Sequence, residues 1–447
     1  MPELNEEDHT IDLKFLINPG RKMTVRYINF TGNDRTRTTV LRREMRQLES
    51  EVYRVSKVDR SRIRLQRLNY LTSVDIKTVP VEGRDDLLDL EVTVAERFSG
   101  NFQIGLGFSA TQGVILNLGV THDNIFGTGK TVSFTFDNSQ SSERYGFRYL
   151  NPYYTANGVS RGFRFTYTAT DAAELNVSDY LIDRTSLSMD YGIPVSEFNT
   201  FTVEFGIEQN NILTTPGTPD EVIEFIIANS EEYDENTDPA DVTGAKYNTL
   251  FSTISFSKDT RNRRVFADTG SLNSVSFEVD AGDLDFYKLR YQHRTAFPTI
   301  FNTTYNFRSR VGYGDSYAET TELPFFERFY AGGVRSVRAY ERNSLGPLDS
   351  NGNPYGGTLQ VILSSELLIP LEAIASSETF RLGVYFDAGN VFDGVDTFDA
   401  AELRGSVGIS AKWFSVVGPL EFSLGYPVND QPGDDIRNFQ FALGASF

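Results

Sequence analysis

Gln360-Val-Ile-Leu-Ser-Ser-Glu-Leu-Leu-Ile369 has two faces: Val361, Leu363, Ser365, Leu367 and Ile369 on one, and the residues between them, Glu366 included, on the other. A period of two marks an extended strand whose sides meet different surroundings. Arg381-Leu-Gly-Val-Tyr-Phe-Asp387 repeats the pattern, with Leu382, Val384 and Phe386 on the apolar side and Asp387 opposite. If the apolar faces meet lipid, Glu366 and Asp387 point inward from neighbouring strands. Outward from this pair, the whole chain after Gly100 divides into similar segments separated by Gly, Asn, Asp and Pro. These are 101–109, 113–121, 130–137, 143–150, 159–170, 180–192, 200–209, 246–257, 271–281, 286–296, 303–313, 358–369, 380–389, 404–413, 418–426 and 437–447. Sixteen strands, many near the ~9 to 11 residues that cross a bilayer obliquely, predict a closed antiparallel transmembrane β-barrel over residues 98–447. A soluble sandwich would want fewer and shorter strands.

Composition agrees. The 447 residues include 35 Phe and 22 Tyr but one Trp, and mean hydropathy is −0.32. Nowhere do 18 consecutive apolar residues occur, which excludes a spanning helix but not strands that alternate. A length prior of roughly one domain per 150 residues would suggest about three domains, but a barrel absorbs far more chain than that. No Cys is present, so disulfides, thiolate metal sites and a Cys nucleophile are excluded, and the three His (His9, His122, His293) stand apart. No metal or cofactor site is expected. The net charge of −19 is uneven: residues 1–20 carry −4, residues 21–97 carry +5, and residues 98–447 carry −20. Two bodies with different electrostatic surroundings follow. The basic balance of the first is too diluted by acids to predict nucleic-acid binding.

Residues 21–97 read as a small α+β domain. Thr24-Val-Arg-Tyr-Ile-Asn-Phe30 alternates as a strand, with Val25 and Tyr27 opposite Arg26, Ile28 and Phe30, and ends in the turn Thr31-Gly-Asn-Asp34. Val40, Leu41, Met45 and Leu48 recur at helical spacing. A second helix is predicted from Ser56, with Ser56 and Asp59 as a capping-box variant, and strands follow at 74–79 and 87–94. The order, and the wording Val25-Arg-Tyr-Ile-Asn-Phe-Thr-Gly-Asn33, Leu41-Arg-Arg-Glu-Met-Arg-Gln47 and Gln66-Arg-Leu-Asn-Tyr-Leu71, resemble a POTRA module, the polypeptide-transport-associated repeat. Residues 10–20 look like the last strand of a preceding module, so residues 1–20 read as its remnant and the chain as a fragment. Met1-Pro-Glu-Leu lacks the features of a signal peptide. Without the barrel, a cytosolic α+β domain would be the alternative.

Connections on one rim are compact (123–129, 151–158, 193–199) and those on the other are longer, the sidedness of an outer-membrane barrel. Residues 212–245 carry nine acids and no Lys or Arg and read as a solvated loop with a short helix near 222–228, whereas 258–264 on the opposite rim is basic. The longest gap, residues 314–357, holds Phe329-Tyr-Ala-Gly-Gly-Val-Arg-Ser-Val-Arg-Ala-Tyr-Glu-Arg-Asn-Ser-Leu-Gly-Pro347. This resembles the sixth extracellular loop of the two-domain outer-membrane assembly and translocation superfamily, whose hallmark Val-Arg-Gly-Phe/Tyr stands here as Val337-Arg338-Ala339-Tyr340. The resemblance implies that the loop folds into the lumen and that carboxylates on neighbouring strands hold Arg338, for which Glu366 and Asp387 are the candidates. With Ala339 in place of Gly, a left-handed backbone is not expected there.

Phe439, Phe441, Leu443, Ala445 and Phe447 alternate to a terminal aromatic, similar to the recognition strand of outer-membrane proteins. The seam that joins this strand to the first carries Gly100, Phe102, Gly105, Gly107 and Gly444, and glycine weakens strand pairing. A seam that opens exposes an edge able to template another strand. Asp123-Asn-Ile-Phe-Gly-Thr-Gly-Lys130 and Asn151-Pro-Tyr-Tyr-Thr-Ala-Asn-Gly-Val-Ser-Arg-Gly162 further resemble the β-barrel assembly factors of the superfamily. That resemblance implies insertion of unfolded outer-membrane proteins at the seam, with periplasmic chaperones, lipid and lipopolysaccharide as partners. It also implies docking of accessory lipoproteins near Arg37 and Glu44, placed by spacing on one helical face, and a periplasmic POTRA domain below an outer-membrane barrel. A secretion or translocation-assembly pore of the same superfamily and a passive channel are the alternatives. Enzymatic chemistry is not expected: Gly129-Lys130-Thr131 lacks the first Gly of a phosphate loop and is followed by a strand, and no Ser lies in G-x-S-x-G.

Overall fold

The computed structural model describes residues 3–5, 10–12, 21–109, 113–263, 266–370, 379–415 and 418–443. The chain forms two compact units, residues 1–99 with the turn Asp123–Gly129, and the remainder.

In the first unit, strands β1 (Glu3–Asn5) and β2 (Thr10–Asp12) pair antiparallel. The order that follows is β3 (Thr24–Thr31), α1 (Thr38–Arg42), α2 (Val55–Gln66), β4 (Leu71–Pro80) and β5 (Leu87–Glu96), with β5 central, parallel to β3 and antiparallel to β4. Val25, Ile28, Val40, Leu41, Val58, Leu65, Leu90 and Val92 close one core. Two local expectations fail. Val25 and Ile28, on opposite faces by strict alternation, are both buried because the ladder shifts register between them, as a bulge re-aims side chains. The capping box is absent: α2 begins at Val55 with no side-chain cap, and Asp59 instead pairs with Arg62 one turn on at 3.0 Å. The turn Asp123–Gly129 is fastened within this unit. The Arg37 N–H donates to the Gly127 carbonyl at 3.0 Å, and Asn124 Nδ2 donates to Thr36 Oγ1 at 2.7 Å. Gly127 has φ +69°, and a Cβ there would lie 2.1 Å from the Arg35 carbonyl oxygen, so no other residue fits.

The second unit is a closed antiparallel barrel of sixteen strands in sequential order. Its first eight are β6 (Gly100–Ser109), β7 (Gly113–His122), β8 (Thr131–Asn138), β9 (Ser142–Asn151), β10 (Ser160–Asp171), β11 (Leu181–Pro194), β12 (Asn199–Leu213) and β13 (Gly244–Asp259). Then come β14 (Gly270–Gly282), β15 (Phe286–Pro298) and β16 (Thr304–Ser316), and β17 (Ala339–Tyr340) lies within the long loop. The wall resumes with β18 (Leu359–Pro370), β19 (Phe380–Phe392), β20 (Arg404–Ser415) and β21 (Gly418–Pro427), after which β22 (Ile436–Arg437) pairs with β17 and β23 (Phe439–Leu443) returns to the wall. The predicted alternation holds: on β18 and β19 the residues facing the lumen are buried and Val384 and Phe386 are exposed outward. The acidic segment is only partly a solvated loop. Its helix α3 (Asp220–Asn229) sinks Val222, Phe225 and Ile226 into an apolar cluster with Tyr180, Tyr247, Leu284, Leu323 and Phe325, leaving its acids outside that cluster. The charge of the turn after β13 is locally offset, since Arg261 bonds Asp259 at 2.8 Å and Arg263 bonds Asp268.

Candidate functional site: the lumenal latch and the seam

Arg338 has no solvent-exposed surface. Its Nε and Nη2 donate to Asp387 Oδ2 and Oδ1 at 2.7 and 2.8 Å, Nη1 donates to Glu366 Oε1 at 2.9 Å, and its backbone N–H reaches Asp387 Oδ2 at 3.2 Å. The fork geometry suits a planar guanidinium against a carboxylate. Glu366 also accepts from Ser410 Oγ at 2.7 Å and Lys412 Nζ at 2.5 Å, and the Tyr385 ring lies 3.4 Å from the guanidinium carbon. Two carboxylates, one ammonium and one guanidinium thus satisfy one another, as buried charges must.

Ala339 overturns its expectation: its φ is +71°. Left-handed backbone costs an alanine roughly 1–2 kcal/mol. Room for its methyl comes from Gly425, where a Cβ would lie 3.0 Å from the Ala339 Cβ and 2.2 Å from Tyr385 Oη. The turn lets Ala339 and Tyr340 pair with Arg437 and Ile436, and Gln440 Nε2 on β23 donates to the Tyr340 carbonyl at 2.6 Å. Glu341 bonds Arg437 at 2.5 Å, and Tyr340 and Val337 are fully buried. The loop that carries Arg338 is therefore tied to the last strand as well as to β18 and β19.

A second anchor escaped the sequence reading. Glu327, in the aromatic run Phe325-Phe-Glu-Arg-Phe329, accepts from Arg184 on β11 and Lys288 on β15. Burial works against its charge, but the two cations outweigh it and hold the carboxyl below the usual carboxylate range. Arg328 bonds Glu322 at 2.5 Å and Asp393 at 2.9 Å and covers the Tyr355 ring. The available signal was an acid beside a base, Glu327-Arg328, inside an aromatic loop segment.

At the seam, β23 meets β6 through one register pair among the described residues, Ala442 opposite Ser109. By contrast, β12 and β13 pair from Asn199↔Lys258 to Leu213↔Gly244. Gly100, Gly105 and Gly107 pair with His122, Asn117 and Ile115 of β7. Phe102, Ile104 and Leu106 are exposed outward, as is Phe439, while Phe441 packs on Phe422 at 4.8 Å between ring centres. Gly444 and Phe447 lie outside the described residues. The two docking candidates do not share a helical face. Helix α1 spans only Thr38–Arg42, so Arg37 and Glu44 flank it. Arg37 is exposed, but Glu44 is 5% exposed and its carboxylate accepts from Arg64 at 2.7 Å.

A closed sixteen-strand barrel with a small α+β unit before it and an arginine-latched loop in its lumen defines a two-part outer-membrane protein. The chain belongs to the Omp85 superfamily: the Omp85 superfamily domain matches residues 124–447, and the surface antigen variable number repeat, the POTRA unit, matches residues 23–97. It is 33% identical to outer membrane protein assembly factor BamA of Neisseria meningitidis serogroup B, over all of this chain and 59% of that protein. It is 25% identical to BamA of Nitratidesulfovibrio vulgaris, over 99% of this chain and 53% of that one. The chain thus spans between half and three-fifths of these relatives. The crystal structure of BamA from Haemophilus ducreyi lacking POTRA domains 1-3 superposes with a TM-score of 0.80 at 26% identity, over 99% of this chain and 88% of that one. CdiB from Acinetobacter baumannii shares the fold alone, at TM-score 0.59 and 12% identity. The protein resides in the outer membrane with its POTRA unit in the periplasm.

Proposed function

We propose that this chain carries the membrane-inserting part of a β-barrel assembly factor and acts without a catalytic residue. The carrying observation is the seam, where β23 meets β6 at Ala442 opposite Ser109 and Phe102, Ile104 and Leu106 of β6 are exposed outward. Free N–H and C=O groups along an edge strand can accept an incoming strand by β-augmentation. The wall next to the seam is also short: β8 has 8 residues, against 16 in β13. At about 3.4 Å per residue, that is roughly half the strand length. A short wall favours local thinning of the bilayer, which lowers the barrier for a nascent hairpin to enter. The Arg338 latch supports the reading, because its loop grips β18, β19 and β23 at once and keeps the far side of the seam rigid.

The substrates in this proposal are unfolded outer-membrane proteins delivered by periplasmic chaperones, inserted among outer-membrane lipid and lipopolysaccharide. Accessory lipoproteins dock on the POTRA unit near exposed Arg37, and Glu44 acts indirectly by fixing Arg64. The test is reconstitution in liposomes with an unfolded barrel substrate. Folding should be several-fold faster than beside a porin, and an equal rate would reject the proposal.

A further inference from the structure

Beside the tip of the long loop, the lumen holds a cavity of about 200 Å³ in whose lining arginines outnumber carboxylates. Arg294 of β15, Arg308 and Arg310 of β16 and Arg335 of the loop line it. The carboxylate on its wall, Glu421, already lies 3.8 Å from Arg338 and 3.6 Å from Lys412. Among the described residues Arg308, Arg310 and Arg335 have no salt bridge: Arg308 Nη2 donates to Ser364 Oγ at 3.2 Å, and Arg310 donates to the Arg335 carbonyl. In the neighbouring lumenal cavity Arg164 is matched by Glu204, Arg184 by Glu327 and Glu208, and Arg290 by Glu278. Like charges gathered in a walled space raise the local potential and draw in a counter-ion. Guanidinium forks suit the oxygens of a phosphate group better than a monatomic anion, because each gives two parallel donors. The space is several times the ~30 Å³ share of one water, enough for a phosphate or a diphosphate.

We propose that this cavity binds a soluble phosphate-type oxyanion, which bridges the loop's Arg335 to Arg308 and Arg310 on the wall. The bound anion would be a removable staple between loop and barrel, additional to the permanent one at Arg338. The site lies wholly within the barrel and does not depend on how the seam acts.

Pyrophosphate and phosphate, titrated at constant ionic strength into the chain in detergent micelles, should show saturable binding at one site by calorimetry and slow tryptic cleavage after Arg335. Arg308→Gln and Arg335→Gln should each weaken binding by about tenfold, the loss of a charge-assisted fork, while Arg164→Gln in the neighbouring lumenal cavity leaves it unchanged. Arg335 is exposed at the loop tip, so Arg335→Gln carries the test if Arg308→Gln does not fold. Absence of saturable binding, or affinity indifferent to both substitutions, would overturn the proposal.

Discussion

Arg338 is worth more as a member of its cluster than any one of its hydrogen bonds. Among the described residues Arg338→Ala leaves Asp387 without its salt bridge and Glu366 with that to Lys412 alone, both in the buried wall. A buried pair broken from one side costs roughly 3–5 kcal/mol, so the heat-modifiability midpoint on semi-native gels should fall by many degrees. Arg338→Lys should recover little, because an ammonium cannot span two carboxylates bidentately. An unchanged midpoint in Arg338→Ala would remove the latch. At the next residue, Ala339→Gly should raise the same midpoint, since it relieves a left-handed alanine at φ +71° by about 1 kcal/mol, and Gly425→Ala should lower it through the clash with Tyr385. The carboxylates were legible from period-two alternation alone. The backbone of Ala339 was not, because what makes room for its methyl is a glycine 86 residues on, and no local pattern reports a contact of that range.

Elements show the same division. Each barrel strand repeats a face-by-face contrast over about ten residues, so its place and inward set could be read directly, whereas the two helices of the POTRA unit are short and set by packing. Glu44 reads as a docking charge in sequence because it stands seven residues from Arg37 on an expected helical face; the helix stops at Arg42, and the chain turns Glu44 under Arg64. The segment before α1 has its own clamp. Glu96 on β5 accepts from the N–H groups of Arg35 and Thr36 at 2.8 and 2.7 Å. Partial burial raises its pKa, but the hydrogen bonds from Thr36 and Arg35 more than reverse this and hold the carboxyl below the usual range. A carboxyl depressed in the folded state adds stability that is fully present above its unfolded pKa and fades as pH falls through the folded one. Amide exchange at Arg35 and Thr36 should therefore be slow and pH-independent in its protection at neutrality and lose protection below the ordinary carboxylate range. Glu96→Gln should show the reduced protection at every pH, and a variant profile that still steps in acid would assign the effect to another group.

At the scale of the whole barrel, the latch and the seam are one mechanical arrangement. The loop reaches β18 and β19 through Arg338 and reaches the last strand through the β17–β22 pairing and Gln440. One lip of the seam is thereby held, and the other is β6, whose far side is laddered to β7 from Gly100↔His122 to Ser109↔Gly113. Opening at the seam leaves the long ladders intact, whereas breaking one such as β12–β13 would expose many backbone groups to lipid. The chain has no native cysteine, so a pair introduced at the facing positions Ser109 and Ala442 forms a single possible disulfide. Oxidised Ser109→Cys/Ala442→Cys protein should remain a heat-modifiable barrel yet lose most insertion of an unfolded substrate in liposomes, and reduction should restore it. Arg338→Ala in the same assay should lose insertion without any crosslink, because a loosened far lip no longer opposes the incoming strand. Full insertion by the crosslinked, folded barrel would show that the edge of β6 is not where substrate enters.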